Sequence, residues 1–325
     1  MKKMRTLAAL EAGKLPKFPK TIKNLQNQEV ICADPLYHRA LIALMDFHAL
    51  LGGAASHWGG PSAFSEIICA LHALMFHPPV SFSEKWFENF HFVNDAGHCE
   101  NGIYALRAMY EIGLENKLTT ESLKNFRSLH SPLTGHGEVN ENPEHVFISN
   151  GPLGSAIGVA QGLAMADKHL KKFPHRITVC TISDGALMEG EAKESLSSIA
   201  GFSKKNLLNP FLCILSDNGI KLSGSIEKDS YSLEPYIKSL ETQGFELQIV
   251  PKGNNLQDVY YQIEQSILDL HKNPNKPILL WVKTVKGFGI KSCVQSSSGG
   301  HGFPLKGKKE ELLGFLTELF THENS

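Results

Sequence analysis

Apolar residues recur at helical spacing through residues 37–51 and again through 63–76, the i, i+3, i+4, i+7 pattern of a helix that buries one face. Pro61 and Ser62 mark the start of the second helix, because proline fits a first turn and serine caps one. The spacing returns at 102–113 and at 120–127, where Thr119 or Thr120 is placed to cap. Residues 146–149, Val-Phe-Ile-Ser, read as a short strand. Gly151-Pro152-Leu153-Gly154 opens a helix with proline near its first turn, and Gly154, Gly158, Gly162 and Ala166 fall four apart along it. One stripe of that helix is therefore free of large side chains.

From 177 onward the pattern alternates. Apolar, β-branched runs at 177–182, 211–216, 245–250 and 278–284 predict strands, and helical spacing at 188–200, 233–241 and 256–270 fills the gaps. A last amphipathic helix is expected at 308–321. Strands buried along their whole length and separated by helices make an α/β fold, with a mainly parallel sheet covered by helices on both faces. Residues 1–34, rich in Lys, Pro and Asn, read as an N-terminal arm, and 35–325 as one α/β domain. The irregular stretch 128–144, rich in Gly, Pro, His and Asn, is long for a structural loop and points to function.

Composition narrows the classes. With 325 residues, 42% of them hydrophobic, the chain buries a large core. A net charge of -1 gives no electrostatic reason to expect nucleic acid or an acidic membrane as partner. The six cysteines are scattered without Cys-x-x-Cys spacing and read as reduced core residues of a cytoplasmic protein. No run approaches membrane-spanning length, and the N-terminus lacks a signal-peptide core.

Two strand ends carry candidate chemistry. Ser183-Asp184-Gly185 follows one apolar run and Asp217-Asn218-Gly219-Ile220 another, at the edge where parallel α/β sheets bind ligands. Asp184 offers a carboxylate, Asn218 an amide oxygen and Ile220 a backbone carbonyl, a hard oxygen set suited to Mg2+, or to Ca2+ or Mn2+. One anionic ligand leaves room for the charge of a diphosphate, Gly185 lets the backbone approach it, and a helix beginning near Leu187 would aim its N-terminus there. Asp-Gly and Asn-Gly are also ordinary turn sequences, so the ordered pair matters more than either alone. Four of the 15 histidines, His57, His98, His136 and His301, share glycine-flanked loops where a ring is free to face a ligand.

The ordered pair resembles the thiamine diphosphate signature of the transketolase family, and the resemblance extends in order through the loops of His57, His98 and His136, the Gly151 to Gly154 segment, and His301-Gly302-Phe303-Pro304. It implies that Asp184, Asn218 and the Ile220 carbonyl hold the metal, and that His98, Gly151, Leu153, Asp184, Gly185, Asn218 and His301 hold thiamine diphosphate. By the same resemblance His57, His136 and His301 are the catalytic set, with His57 and His136 lining the sugar channel. Glu189 and Glu194 match acidic positions of a dimer interface and are equally ordinary first-turn glutamates.

Three positions depart from the family pattern: Ser183 for Gly, Trp58 for the Pro after His57, where it is expected to narrow the channel, and Asp95-Ala96 for Ser-Lys. The resemblance also implies a second domain, binding the aminopyrimidine and supplying the activating glutamate, for which this chain has no room. The chain is therefore read as the N-terminal subunit of a split transketolase of the pentose phosphate pathway, with a piece of a longer enzyme as the other reading. It would pair with a C-terminal transketolase subunit in a dimer of heterodimers and act on sugar phosphates. A 2-oxo acid dehydrogenase E1-like subunit, a deoxyxylulose phosphate synthase and a noncatalytic cofactor-binding scaffold are the alternatives. The Gly135 to Glu138 and His301 to Pro304 loops favour the sugar enzyme, and no Gly-x-x-x-x-Gly-Lys-Ser/Thr motif supports a P-loop enzyme.

Overall fold

In a computed structural model describing residues 15–113 and 117–322, the first described elements form an antiparallel hairpin, β1 (Pro19–Lys23) and β2 (Glu29–Ala33). The Asn24 side chain accepts from the amides of Gln26 and Gln28 and closes its turn. Lys23 exchanges two backbone bonds with the Gln257 side chain, which fastens the hairpin to the rest of the chain. Asp34 caps α1 (Pro35–Leu51), with Pro35 in the first turn. A helical turn α2 (Gly59–Ala63) leads into α3 (Ser65–Phe76), and α4 (Trp86–Asn89) into β3 (Phe90–Asn94), a strand that the sequence pattern did not reveal. A 3-10 turn at Gly97–Cys99 continues as α5 (Glu100–Met109).

Beyond α5 the structure corrects the sequence reading. The helix expected at 120–127 is only a 3-10 turn, Ser122–Asn125, held by mutual Thr119 and Ser122 bonds. The strand expected at 146–149 does not form. Val146 N donates to the Asn142 carbonyl in a local turn, and the Ser149 hydroxyl accepts from Val139 N, so the segment is tied to its own loop. The small-residue helix α6 (Ser155–Leu170) starts after Pro152, and its stripe splits in two. A Cβ on Gly158 would lie 3.2 Å from Ser195, whereas Gly162 faces open space.

The remaining elements are β4 (Ile177–Ser183), the turn α7 (Asp184–Leu187), α8 (Gly190–Lys204), β5 (Phe211–Asp217), a two-residue hairpin β6 (Ile220–Lys221) and β7 (Gly224–Ser225), and α9 (Ile226–Asp229). They continue as α10 (Glu234–Gln243), β8 (Glu246–Val250), α11 (Leu256–Lys272), β9 (Ile278–Lys283), α12 (Lys291–Val294) and α13 (Lys309–His322). The helix expected to begin near Leu187 thus divides: one turn starts at Asp184 and the full helix only at Gly190. Gly154, packed 2.9 Å from the Glu189 Cβ when a Cβ is placed on it, marks how tightly this break is held.

Five strands pair in parallel in the order β3-β4-β5-β9-β8. Alternate residues feed two cores. Ile177, Val179, Leu212, Ile214, Leu280 and Val282 pack with α1, α3, α5 and α11, while Cys180, Ile182, Cys213, Leu215 and Trp281 pack with α6, α8 and α10. Each fully buried aliphatic side chain contributes about 1.5–3 kcal/mol, so a charge at Val179 or Ile182 would break a layer. The six cysteines are buried and unbridged. Among the described residues no helix is long and apolar enough to cross a membrane.

Candidate functional site

The carboxyl ends of β3, β4, β5 and β9 converge on one cleft of about 440 Å³. Register explains why. Ser183 pairs with Ser216 and Asp217 with Lys283, so the chain leaves neighbouring strands at the same level and places Asp184, Asn218 and Lys286 side by side. All ten residues proposed from the sequence line this cleft: His57, His98, His136, Gly151, Leu153, Asp184, Gly185, Asn218, Ile220 and His301.

Asp184 is buried, and its carboxylate joins the strand ends. Oδ1 accepts from Gly185 N at 2.7 Å, and Oδ2 accepts from Asn218 N at 2.8 Å and Gly219 N at 2.7 Å. Burial, then the nearby Asp217, raises its pKa to about 7 against these bonds. The Asn218 Oδ1 accepts from Ile220 N, and the Ile220 carbonyl accepts from Lys286 Nζ at 2.9 Å. A carboxylate has about four lone-pair sites and a carbonyl two, so each retains acceptor capacity toward the cleft. Ser183 does not disturb the turn; its hydroxyl accepts from Ala186 N and caps α7.

The four histidines come from four separate loops. Ring centroids lie 5.6 Å apart for His57 and His98, 6.2 Å for His57 and His136, 5.2 Å for His57 and His301, and 5.5 Å for His98 and His301. The His57 and His301 loops are joined by backbone: Trp58 N donates to His301 O, Gly59 N to Gly300 O and Phe303 N to Ser56 O. Burial lowers His57 and His301 to about 4, helped by their positive neighbours, including Lys286. His98 falls well below its ordinary value, through burial and then the other histidines, and burial also lowers His136. The cleft thus presents neutral imidazoles, each able to donate one hydrogen bond and accept another.

Buried polar groups hold the loops. Asp95 accepts from Gly154 N and Ala156 N, both at 2.9 Å, which ties the Gly151 to Gly154 segment to the end of β3. Glu100 accepts from Asn94 and Asn150, and Asn150 accepts from Gly137 N beside His136. Trp58 corrects an expectation: it is fully buried, faces Phe303 and Phe315 with ring centroids 6.5 and 4.9 Å away, and does not line the cleft. Its bulk is absorbed by α13 rather than by a channel. Glu189 stands at the cleft edge and Glu194 is exposed on α8.

Sequence reasoning missed Lys286. The signal was present, because Lys286 lies three residues past β9 just as Asp184 and Asn218 follow β4 and β5, and the same strand-end rule applies.

Known proteins match over the same region. The family described as transketolase, thiamine diphosphate binding domain, matches residues 42–315. The transketolase of Geobacillus stearothermophilus is 30% identical over 282 residues, covering 83% of this chain and 39% of the relative. That of Aquifex aeolicus is 34% identical over 260 residues, covering 77% and 35%. Transketolase from Campylobacter jejuni superposes with a TM-score of 0.67 at 26% identity, over 87% of this chain and 42% of that one. Transketolase from Leishmania mexicana shares the fold, with a TM-score of 0.68 at 23% identity over 89% and 41%. The chain spans well under half the length of these relatives.

Proposed function

The chain belongs to the transketolase family, matching its thiamine diphosphate binding domain, and on that premise we propose that it is the diphosphate and metal half of a two-part transketolase. A companion C-terminal subunit would supply the pyrimidine-binding domain, and the assembly, a dimer of heterodimers, would move two-carbon ketol units between sugar phosphates. The convergence of Asp184, Asn218 and four neutral imidazoles in one cleft at the carboxyl edge of a parallel sheet carries this reading.

In this reading Asp184 Oδ, Asn218 Oδ1 and the Ile220 carbonyl would hold a divalent cation, Mg2+ by preference, whose charge would offset that of the diphosphate. The donor set fits in kind: a carboxylate, a carboxamide and a backbone carbonyl, one of them anionic, belong to residues that line the same cleft. Thiamine diphosphate, when bound, supplies a nucleophilic carbon and an electron sink for breaking a carbon–carbon bond beside a carbonyl. His98 and His301 donate to phosphate oxygens. Gly151 and Leu153 offer backbone and an apolar wall to the aminopyrimidine. His57 and His136, half-buried and neutral, hydrogen-bond substrate hydroxyls and relay protons through their ring nitrogens. The unbridged cysteines support a reducing, cytoplasmic setting.

Calorimetry with thiamine diphosphate and Mg2+ tests the site: wild type releases heat and Asp184→Ala does not. Turnover of xylulose 5-phosphate only when a pyrimidine-domain partner is added supports the divided enzyme. Turnover of pyruvate instead would favour the 2-oxo acid dehydrogenase alternative, and turnover by the single chain would refute the need for a companion.

A further inference from the structure

Asp46 is fully buried in α1, a helix that also buries Leu41, Ile42, Met45 and Phe47. Both of its bonded partners lie beside His57. Oδ1 accepts from the Ser56 hydroxyl and, at 3.0 Å, from the Asn101 side-chain amide, while Oδ2 has no hydrogen-bond partner among the described residues. Burial raises its pKa to about 8 against those two bonds. An apolar side chain would avoid that cost, so packing of α1 does not account for a carboxyl here.

Asn101 Nδ2 also donates to the His57 carbonyl at 2.9 Å, and Asn101 stands in the first turn of α5, three residues past His98. One side chain thus reaches from the His98 segment to the His57 backbone, and the two ring centroids lie 5.6 Å apart. Asn101 Oδ1 accepts from Gly102 N at 2.9 Å, which orients the amide with its hydrogens toward Asp46 and His57. The bonds of Trp58 N and Gly59 N to the His301 loop join one loop to another. Asp46 and Asn101 instead tie the His57 loop to two helices.

We propose that Asp46 and Asn101 are a positioning pair for His57: together they hold its backbone against the start of α5 and so set the spacing between the His57 and His98 rings. The pair rests on the proposed function for its purpose, since His57 is the ring assigned there to substrate hydroxyls. Neither residue lines the cleft, and both act only through His57. The carboxyl serves as a neutral acceptor near pH 7, so a carboxamide in its place would accept the same two bonds.

The test is nuclear magnetic resonance of the full chain without cofactor, labelled with 15N in its histidine rings, the two signals being assigned from His57→Gln and His98→Gln. Wild-type His57 should titrate at about pH 4, held there by burial and then by His301, Arg127, His136 and Lys286 around it. Asn101→Leu is expected to raise that midpoint by about one unit or more as the ring gains solvent, and to move the His98 signal with it. Asn101→Ala removes the same donors without added bulk and is read in its place if the leucine variant does not fold. Asp46→Asn is expected to keep both signals where wild type has them. Met45→Ala, a cavity on the same helix, is expected to lower the melting temperature and leave both signals in place. Wild-type signals in folded Asn101→Leu or Asn101→Ala would overturn the proposal. An equal shift in Met45→Ala would overturn it too, because His57 would then report only general loosening. No cofactor enters these spectra, so failure of the positioning pair is distinct from failure of the diphosphate reading, which calorimetry with thiamine diphosphate tests.

Discussion

The Gly59 amide lies 2.8 Å from the Gly300 carbonyl oxygen, and this bond joins the loop of His57 to the loop of His301, more than two hundred residues apart in the chain. A Cβ on Gly59 would sit 2.2 Å from the Gly299 oxygen and 2.9 Å from that of Gly300, so only glycine permits the approach. Gly59→Ala is expected to push the loops apart, costing about 1–3 kcal/mol in denaturant titrations. Binding of thiamine diphosphate should fall with it, because two imidazoles lose their relative position; an unchanged affinity would show that the loops act independently.

Asp95 should prove a structural clamp. Removing its carboxylate leaves the buried amides of Gly154 and Ala156 without acceptors, so Asp95→Ala is expected to cost about 2–3 kcal/mol. Asp95→Ser should recover part of that loss, since a hydroxyl can accept one of the two bonds. Hydrogen exchange at those two amides is the direct readout, and slow exchange in the alanine variant would refute the clamp.

Acid should weaken the fold through buried histidines. Burial lowers His72 from its ordinary 6.5 to about 3, and His38 to about 4. Both stay neutral in the native state while the unfolded chain takes up protons below about 6.5, so their share of stability is lost as pH falls through that window. Asp46, raised to about 8 by burial, has the opposite sign: the native state holds its proton, and stability falls as pH rises from about 4 to about 8. The His72 contribution is isolated by His72→Phe. Between pH 7 and pH 5 wild type should lose about 2 kcal/mol more than the variant, and parallel stability profiles would contradict the assignment.

Trp58 supports α13. Trp58→Ala should cost about 3–5 kcal/mol, as deletion of a fully buried aromatic does. Trp58→Phe should cost much less, because among the described residues the Trp58 Nε1 has no hydrogen-bond partner and its removal relieves a buried unmet donor. Thermal melts of the two variants give the comparison; equal losses would mean that the indole nitrogen is satisfied.

Much of the site was legible because its signals are local. Asp184-Gly185 and Asn218-Gly219 follow β-branched runs, and a parallel strand presents its ligand residues at its carboxyl end whatever surrounds it. The glycine-flanked histidines were legible for the same reason, since each loop declares its own backbone freedom. Lys286 obeys the rule but sits in a Lys- and Gly-rich stretch that looks like any exposed loop. What separates it from a solvated lysine is burial by Gly299, contributed from thirteen residues further on.

The elements that sequence reading misplaced are those whose state depends on partners. Residues 146–149 have strand-like composition, but Val146 N is bonded in a local turn to the Asn142 carbonyl and the segment joins no sheet. Trp58 reads as a channel residue beside His57 until α13 brings Phe315 against it.

The amino-acid order alone determined the alternation of buried strands and helices, the parallel sheet, and the residue types gathered at its carboxyl edge, because periodicity and chain direction are properties of neighbours in sequence. Tertiary structure decided which way Trp58 turned, where α8 began, and that the Ile220 carbonyl meets an ammonium. Those outcomes depend on which distant groups compete for one space or one hydrogen bond, and no local pattern encodes that competition.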